Sequence, residues 1–227
     1  MPNSIPHSQH TSAVPSRSRF VIELFIAFLI TKLPVISIPF KWFESFFHEI
    51  SHGIATILTG GFVSSIQLFP NGAGLCTSHG GVAIIISFSG YLGAALWGYL
   101  IFLLATWQQG IKFTLSLLAA TVLGALVFWA RDLLTIVILL FLAVLFLLPL
   151  KVKKSRFLNS LLRTLGIMIM LNAMASPMVL FGLNGQGDAA MLASLTWIPA
   201  WIWVCIWLAI SVMMLWFSWM KVNVKGE

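Results

Sequence analysis

The 227-residue chain is 59% hydrophobic and only 8% charged, with 10 tryptophans and 18 phenylalanines, where a soluble domain carries roughly 25% charged residues. With a mean hydropathy of +1.00, that composition excludes a water-soluble enzyme and leaves no stretch for a separate soluble domain. The net charge of +7 does not indicate nucleic acid either, because the basic residues gather at the ends of apolar runs, as in cytoplasmic loops of polytopic membrane proteins.

The first nineteen residues, rich in Ser, Pro and His and ending in Arg17 and Arg19, read as a disordered tail in which His7 and His10 are solvated. Residues 20–219 read as one integral membrane domain and 220–227 as a short carboxy-terminal tail. The stretch 20–40 is too long for a signal-peptide core and lacks a small-residue cleavage site, so it reads as a retained span, kinked or ended by Pro34 and Pro39. About 20 apolar residues cross a bilayer, which allows further spans at 42–59, 81–107, 111–130, 133–150, 157–181 and 189–219. The expected fold class is therefore an all-α polytopic membrane protein with six or seven transmembrane helices. The number turns on whether the helix at 42–59 crosses fully and on Pro199, which divides the last run. Two spans separate the Lys151, Lys153, Lys154, Arg156 cluster from Lys221 and Lys225, so both ends can face the cytoplasm. Cys76 and Cys205 fall in different segments without a CxxC spacing, which indicates neither a disulfide framework nor a cysteine metal site.

Within the second apolar segment stands His48-Glu49-Ile50-Ser51-His52. An HExxH run on a helix puts two imidazoles one turn apart on one face, within reach of one Zn²⁺ at about 2.0–2.1 Å. Glu49 lies between them, placed to take a proton from water rather than to bind the metal. The chain has only five histidines and six acidic residues, and ionisable groups inside a span are costly enough to imply function. Three of them within one turn imply a shared ligand.

The segment from Gly60 to Thr77 is too polar and turn-rich to be a span and reads as a small membrane-embedded β-hairpin. Gly60-Gly61 ends the preceding helix and Pro70-Asn71-Gly72 supplies the turn. Non-helical backbone at membrane depth is tolerated only where it is buried in protein or lines a wet cavity, so a water-accessible pocket beside the HExxH helix is expected.

A catalytic zinc usually takes three protein ligands and water. The continuation HExxHxxGxxH fails, since Ala55 and Leu58 stand where Gly and His would be, and the only downstream glutamate is Glu227. Asp132, His79 and Asp188 remain. Asp132 adjoins Arg131 at a turn between spans and reads as a neutralised pair or a helix N-cap; His79 in Ser78-His79-Gly80-Gly81 reads as a solvated loop histidine. Asp188 is the strongest candidate, closing the break Asn184-Gly185-Gln186-Gly187 and opening a helix that Pro199 interrupts, with a plain N-cap as its alternative role.

The HExxH followed by Gly53, the Pro70-Asn71-Gly72 hairpin, the small-residue span Ser89-Gly90-Tyr91-Leu92-Gly93-Ala94-Ala95-Leu96-Trp97-Gly98 and the distant Gly187-Asp188-Ala189 together resemble the site-2 protease family of intramembrane zinc metallopeptidases, in its compact B-like bacterial branch. The resemblance covers roughly residues 42–215. It implies His48, His52 and Asp188 as zinc ligands, Glu49 as catalytic base, membrane-protein or peptide substrates within the lipid bilayer, and a place in the bacterial cytoplasmic membrane. Two departures stand out: Gln186-Gly187-Asp188-Ala189 replaces the family's Asn-Pro-Asp-Gly or Leu-Asp-Gly form, and no PDZ module is present. Gly90, Gly93 and Gly98 suit close packing against a neighbour such as the zinc helix. The tryptophans at 197, 201, 203 and 207 read as mainly interfacial or lipid-facing, not as a cofactor site. Two competing functions stay open, a metal transporter, which should carry ligands on several helices and an internal repeat, and a non-catalytic metal-binding membrane protein.

Overall fold

The computed structural model describes residues 14–107, 110–152, 155–182 and 186–222. His7 and His10 of the expected tail, together with Asn184, Gly185 and Lys225, lie outside the described residues.

Helix α1 (Arg17–Lys32) begins inside the stretch assigned to the tail, where the Ser16 side chain accepts from the Arg19 amide as N-cap, and it ends just before Pro34. Helix α2 (Ile38–Leu58) has Pro39 in its first turn, where the missing N–H costs nothing. It stops at Gly60, whose φ of 87° turns the chain so that the Gly61 amide donates to Thr56 O at 2.8 Å. Strands β1 (Phe62–Leu68) and β2 (Gly74–His79) then pair antiparallel. At the turn Gly72 has φ 88° and Asn71 Oδ1 accepts from the Ala73 amide, the chemistry expected of the Pro-Asn-Gly sequence.

After the hairpin come α3 (Ala83–Leu104), α4 (Ile111–Trp129), α5 (Leu133–Leu147) with a 3-10 turn at Leu148–Lys151, α6 (Ser155–Ala175) with a 3-10 extension at Ser176–Gly182, and α7 (Asp188–Thr196). Trp197, left-handed at φ 65°, ends α7, and α8 (Ala200–Met220) starts after Pro199. Helices α3, α4, α5 with its 3-10 turn, α6 with its extension and α8 are long and apolar enough to cross a membrane. The other two of the expected seven are special cases. Sixteen residues make α1 only about 24 Å long, and α2 carries Lys41, Glu44 and Glu49. The chain is an all-α polytopic membrane protein with one embedded hairpin.

Helix α6 is the interior post. Two-thirds of its apolar stretch (67%) is buried, against 22% for α8, which lies at the outside of the bundle. Glycines let α3 press on both neighbours: a methyl on Gly98 would lie 2.7 Å from Met170 Cγ of α6, and one on Gly93 would strike Ser51 of α2. A buried ion pair ties α1 to α6, Arg163 donating to both carboxylate oxygens of Glu23 at 2.6 and 2.9 Å while Ser160 adds a third bond at 2.6 Å.

The hairpin lies along α2. Trp42 Nε1 donates to Phe69 O at 2.8 Å, the Ser45 hydroxyl donates to Gly72 O, and on the far side the Leu68 amide donates to Thr135 Oγ1 at 2.9 Å. Its two ends are clamped where the Val82 amide reaches Thr59 Oγ1 at 3.0 Å. One expectation needs correcting. Trp197 and Trp201 are exposed, but Trp207 is completely buried, stacked on Phe88 and tilted against Tyr91, with its indole N–H on Phe88 O at 3.2 Å. An indole whose N–H finds a carbonyl can be buried at no polar cost, so Trp207 is a core residue.

Candidate metal centre

Helix α2 is buried over nearly its whole circumference between Phe43 and Gly53, because it is wrapped by the hairpin on one side and by α3 and α6 on the other. His48 and His52, four residues apart, point the same way, and their Nε2 atoms are 2.9 Å apart. His52 Nδ1 meets Ile86 O of α3 at 2.7 Å. That bond requires the proton on Nδ1 and leaves Nε2 as a lone-pair donor, the usual arrangement behind a metal-binding imidazole. His48 is held instead by Tyr91, whose ring stands edge-on to it at 4.3 Å.

Asp188 enters from the far end of the sequence. Gly187, at φ 89°, occupies the N-cap position of α7, so Asp188 is the first helical residue and its carboxylate is free to turn inward rather than to cap. Its Oδ2 lies 3.2 Å from His48 Nε2 and 3.3 Å from His52 Nε2. Three acceptor atoms thus converge in a triangle with sides near 3 Å, which calls for a cation at its centre. Tetrahedral zinc with bonds of about 2.0–2.1 Å needs ligand atoms about 3.3 Å apart, and the observed 2.9, 3.2 and 3.3 Å fit that requirement.

Glu49 stands on the adjoining face, its carboxylate within 4.8 Å of the two imidazoles. Strand β2 closes over it: a methyl on Gly74 would sit 2.6 Å from Glu49 Cγ and Oε1. A cavity of about 650 Å³ opens in front of these groups, between α2, β2, α3, α6 and α7. Of the other two sequence candidates, Asp132 is the N-cap of α5, accepting from the Thr135 amide at 2.9 Å. His79 is exposed against the Phe62 ring at the end of the hairpin. Neither lines the cavity.

Three cavity residues escaped the sequence reading: Glu44, Tyr91 and Asn172. Glu44 carried a usable signal, being an acid inside an apolar segment four residues, about one helical turn, before His48. Tyr91 was hidden among small residues, and Asn172 was one polar residue in a long apolar run. A family model described as Peptidase M50B-like matches residues 21–218. No curated protein and no solved structure matches the chain.

Proposed function

The chain belongs to the Peptidase M50B-like family, within the site-2 protease family of membrane metallopeptidases, and from that premise we propose a zinc-dependent endopeptidase that cuts membrane proteins in or near their transmembrane segments. We place it in the bacterial cytoplasmic membrane. One observation carries the reading: His48, His52 and Asp188 direct three lone pairs at one point beside Glu49, on the wall of a cavity large enough for an unwound peptide.

When bound, Zn²⁺ supplies a Lewis acid that polarises the scissile carbonyl and lowers the pKa of water. Glu49 takes the proton of the attacking water and returns it to the leaving amine. Tyr91 has no hydrogen-bond partner for its hydroxyl among the described residues and lines the cavity beside His48. It is positioned to donate to the oxygen that gains charge as the carbonyl carbon becomes tetrahedral. A helical substrate hides its amides, so it must unwind before attack. Among the described residues β2 pairs with β1 alone, and Gly74, Leu75 and Cys76 line the cavity. An extended segment added there would exchange helix hydrogen bonds for strand pairing.

A transporter would need ligand sets along its path, whereas among the described residues the ligand-type side chains that cluster do so at one place, His48, Glu49 and His52 with Asp188 against them. The deciding experiment is Glu49→Gln in purified protein. Zinc should remain by elemental analysis while cleavage of a reporter helix stops. Cleavage surviving that change would overturn the reading.

A further inference from the structure

One turn of α2 before His48, Glu44 is 3% exposed and lines the same cavity, yet it has no part in the chemistry above. Positions 44, 48 and 52 are spaced by four, so their side chains form one row along the helix. Ser176 donates to Glu44 Oε2 at 3.0 Å. Among the described residues no group donates to Oε1, and Lys41, elsewhere on the cavity wall, forms no ion pair with it. Asn172 of α6 is 6% exposed, lines the same cavity, and has an amide Nδ2 without a hydrogen-bond partner among the described residues. Asn172 and Ser176 are four residues apart and face α2 together.

A buried carboxylate inside a membrane protein is strongly unfavourable unless a donor, best a cation, faces it. One serine hydroxyl does not meet that need, and His48, the next side chain of the row, is turned to Asp188. A buried carboxylate with an oxygen left free on a cavity wall is what a cation-binding site looks like before its occupant arrives.

We propose that Glu44 forms a substrate subsite that takes a basic side chain, Lys or Arg, in the segment being cut. The helical turn between Glu44 and His48 spans about 5.4 Å and an extended chain advances about 3.3 Å per residue, so the basic residue falls about two positions from the scissile bond. The subsite rests on the peptidase reading and names the feature that marks the cleavage point in an otherwise apolar substrate.

The test is binding rather than cleavage. Zinc-loaded Glu49→Gln protein is titrated with Leu/Ala transmembrane peptides in which a single Lys is moved one residue at a time through the centre. One register should bind about tenfold or more tighter than the peptide without Lys. Adding Glu44→Gln should erase that peak, and adding Glu44→Lys should move the preference to a Glu in the same register. Equal binding in every register, no binding in any, or a peak that survives Glu44→Gln would overturn the proposal. The register scan needs no change at Glu44, so a misfolded variant cannot shield it. If the register peak is present but the unsubstituted protein cuts none of the peptides, the peptidase reading fails while the subsite stands. If cutting occurs with no register preference, the subsite fails alone.

Discussion

Gly90 presses against His52 so closely that a methyl group on the glycine would lie 2.5 Å from the imidazole Nε2; the distance to His48 Nε2 would be 2.6 Å. The backbone of α3 is therefore the floor of the candidate metal centre, and only hydrogen fits there. Gly90→Ala should lower zinc content, measured by elemental analysis after chelator challenge, with an affinity loss of about tenfold or more. Gly124, with nothing within 4 Å of an added methyl, is the control. Gly124→Ala should keep zinc and raise helix stability by up to about 1 kcal/mol.

Asp188 carries the second prediction. It joins α7 to α2 through the shared contact with His48 and His52, so ligand binding there should stabilise the bundle. Thermal unfolding of the chelated protein should shift upward as zinc is added, by about 2.7 kcal/mol at a hundredfold excess over Kd. Asp188→Ala should abolish the shift and lower zinc content. Asp132→Ala should leave both unchanged at a cost of about 1 kcal/mol for the lost helix cap. Loss of zinc in Asp132→Ala with retention in Asp188→Ala would reverse the ligand assignment.

The sequence disclosed the class, the hairpin and the HExxH because each rests on local signals: apolar length, Pro-Asn-Gly turn chemistry, a four-residue spacing. It also pointed to Asp188, since so few acids were left to choose from. What was illegible depends on which face meets which. Trp207 looked like its exposed neighbours 197 and 201, and only the pairing of α8 with Phe88 and Tyr91 on α3 buries it. Glu44 and Asn172 lie 128 residues apart, and no periodicity connects them. Gly90, Gly93 and Gly98 were visible as a packing stripe, but the first two serve α2 and the third serves α6.

Tyr91 supplies the third prediction. Its ring is fixed by His48 on one side at 4.3 Å and Trp207 on the other at 4.7 Å, so Phe would keep the packing and remove only the hydroxyl. If that hydroxyl donates to the developing oxyanion, Tyr91→Phe should reduce kcat by about 10²-fold, with KM and zinc content little changed. An unchanged kcat would assign Tyr91 to holding His48 alone.

The ion pair between Glu23 and Arg163 makes the last prediction, far from the cavity. Both groups are buried, and the fork geometry with Ser160 satisfies the carboxylate. Such a pair contributes little beyond what apolar residues of similar volume would, yet removing one partner strands the other charge in an apolar interior. Glu23→Leu or Arg163→Met alone should therefore destabilise the protein by about 3–5 kcal/mol, read from unfolding in mixed micelles. The double variant should recover most of that loss, so that the double-mutant cycle returns a large coupling. Zinc content should stay constant throughout, because α1 contributes nothing to the cavity wall. Additive losses in the double variant would mean that the two residues act separately, through partners other than each other.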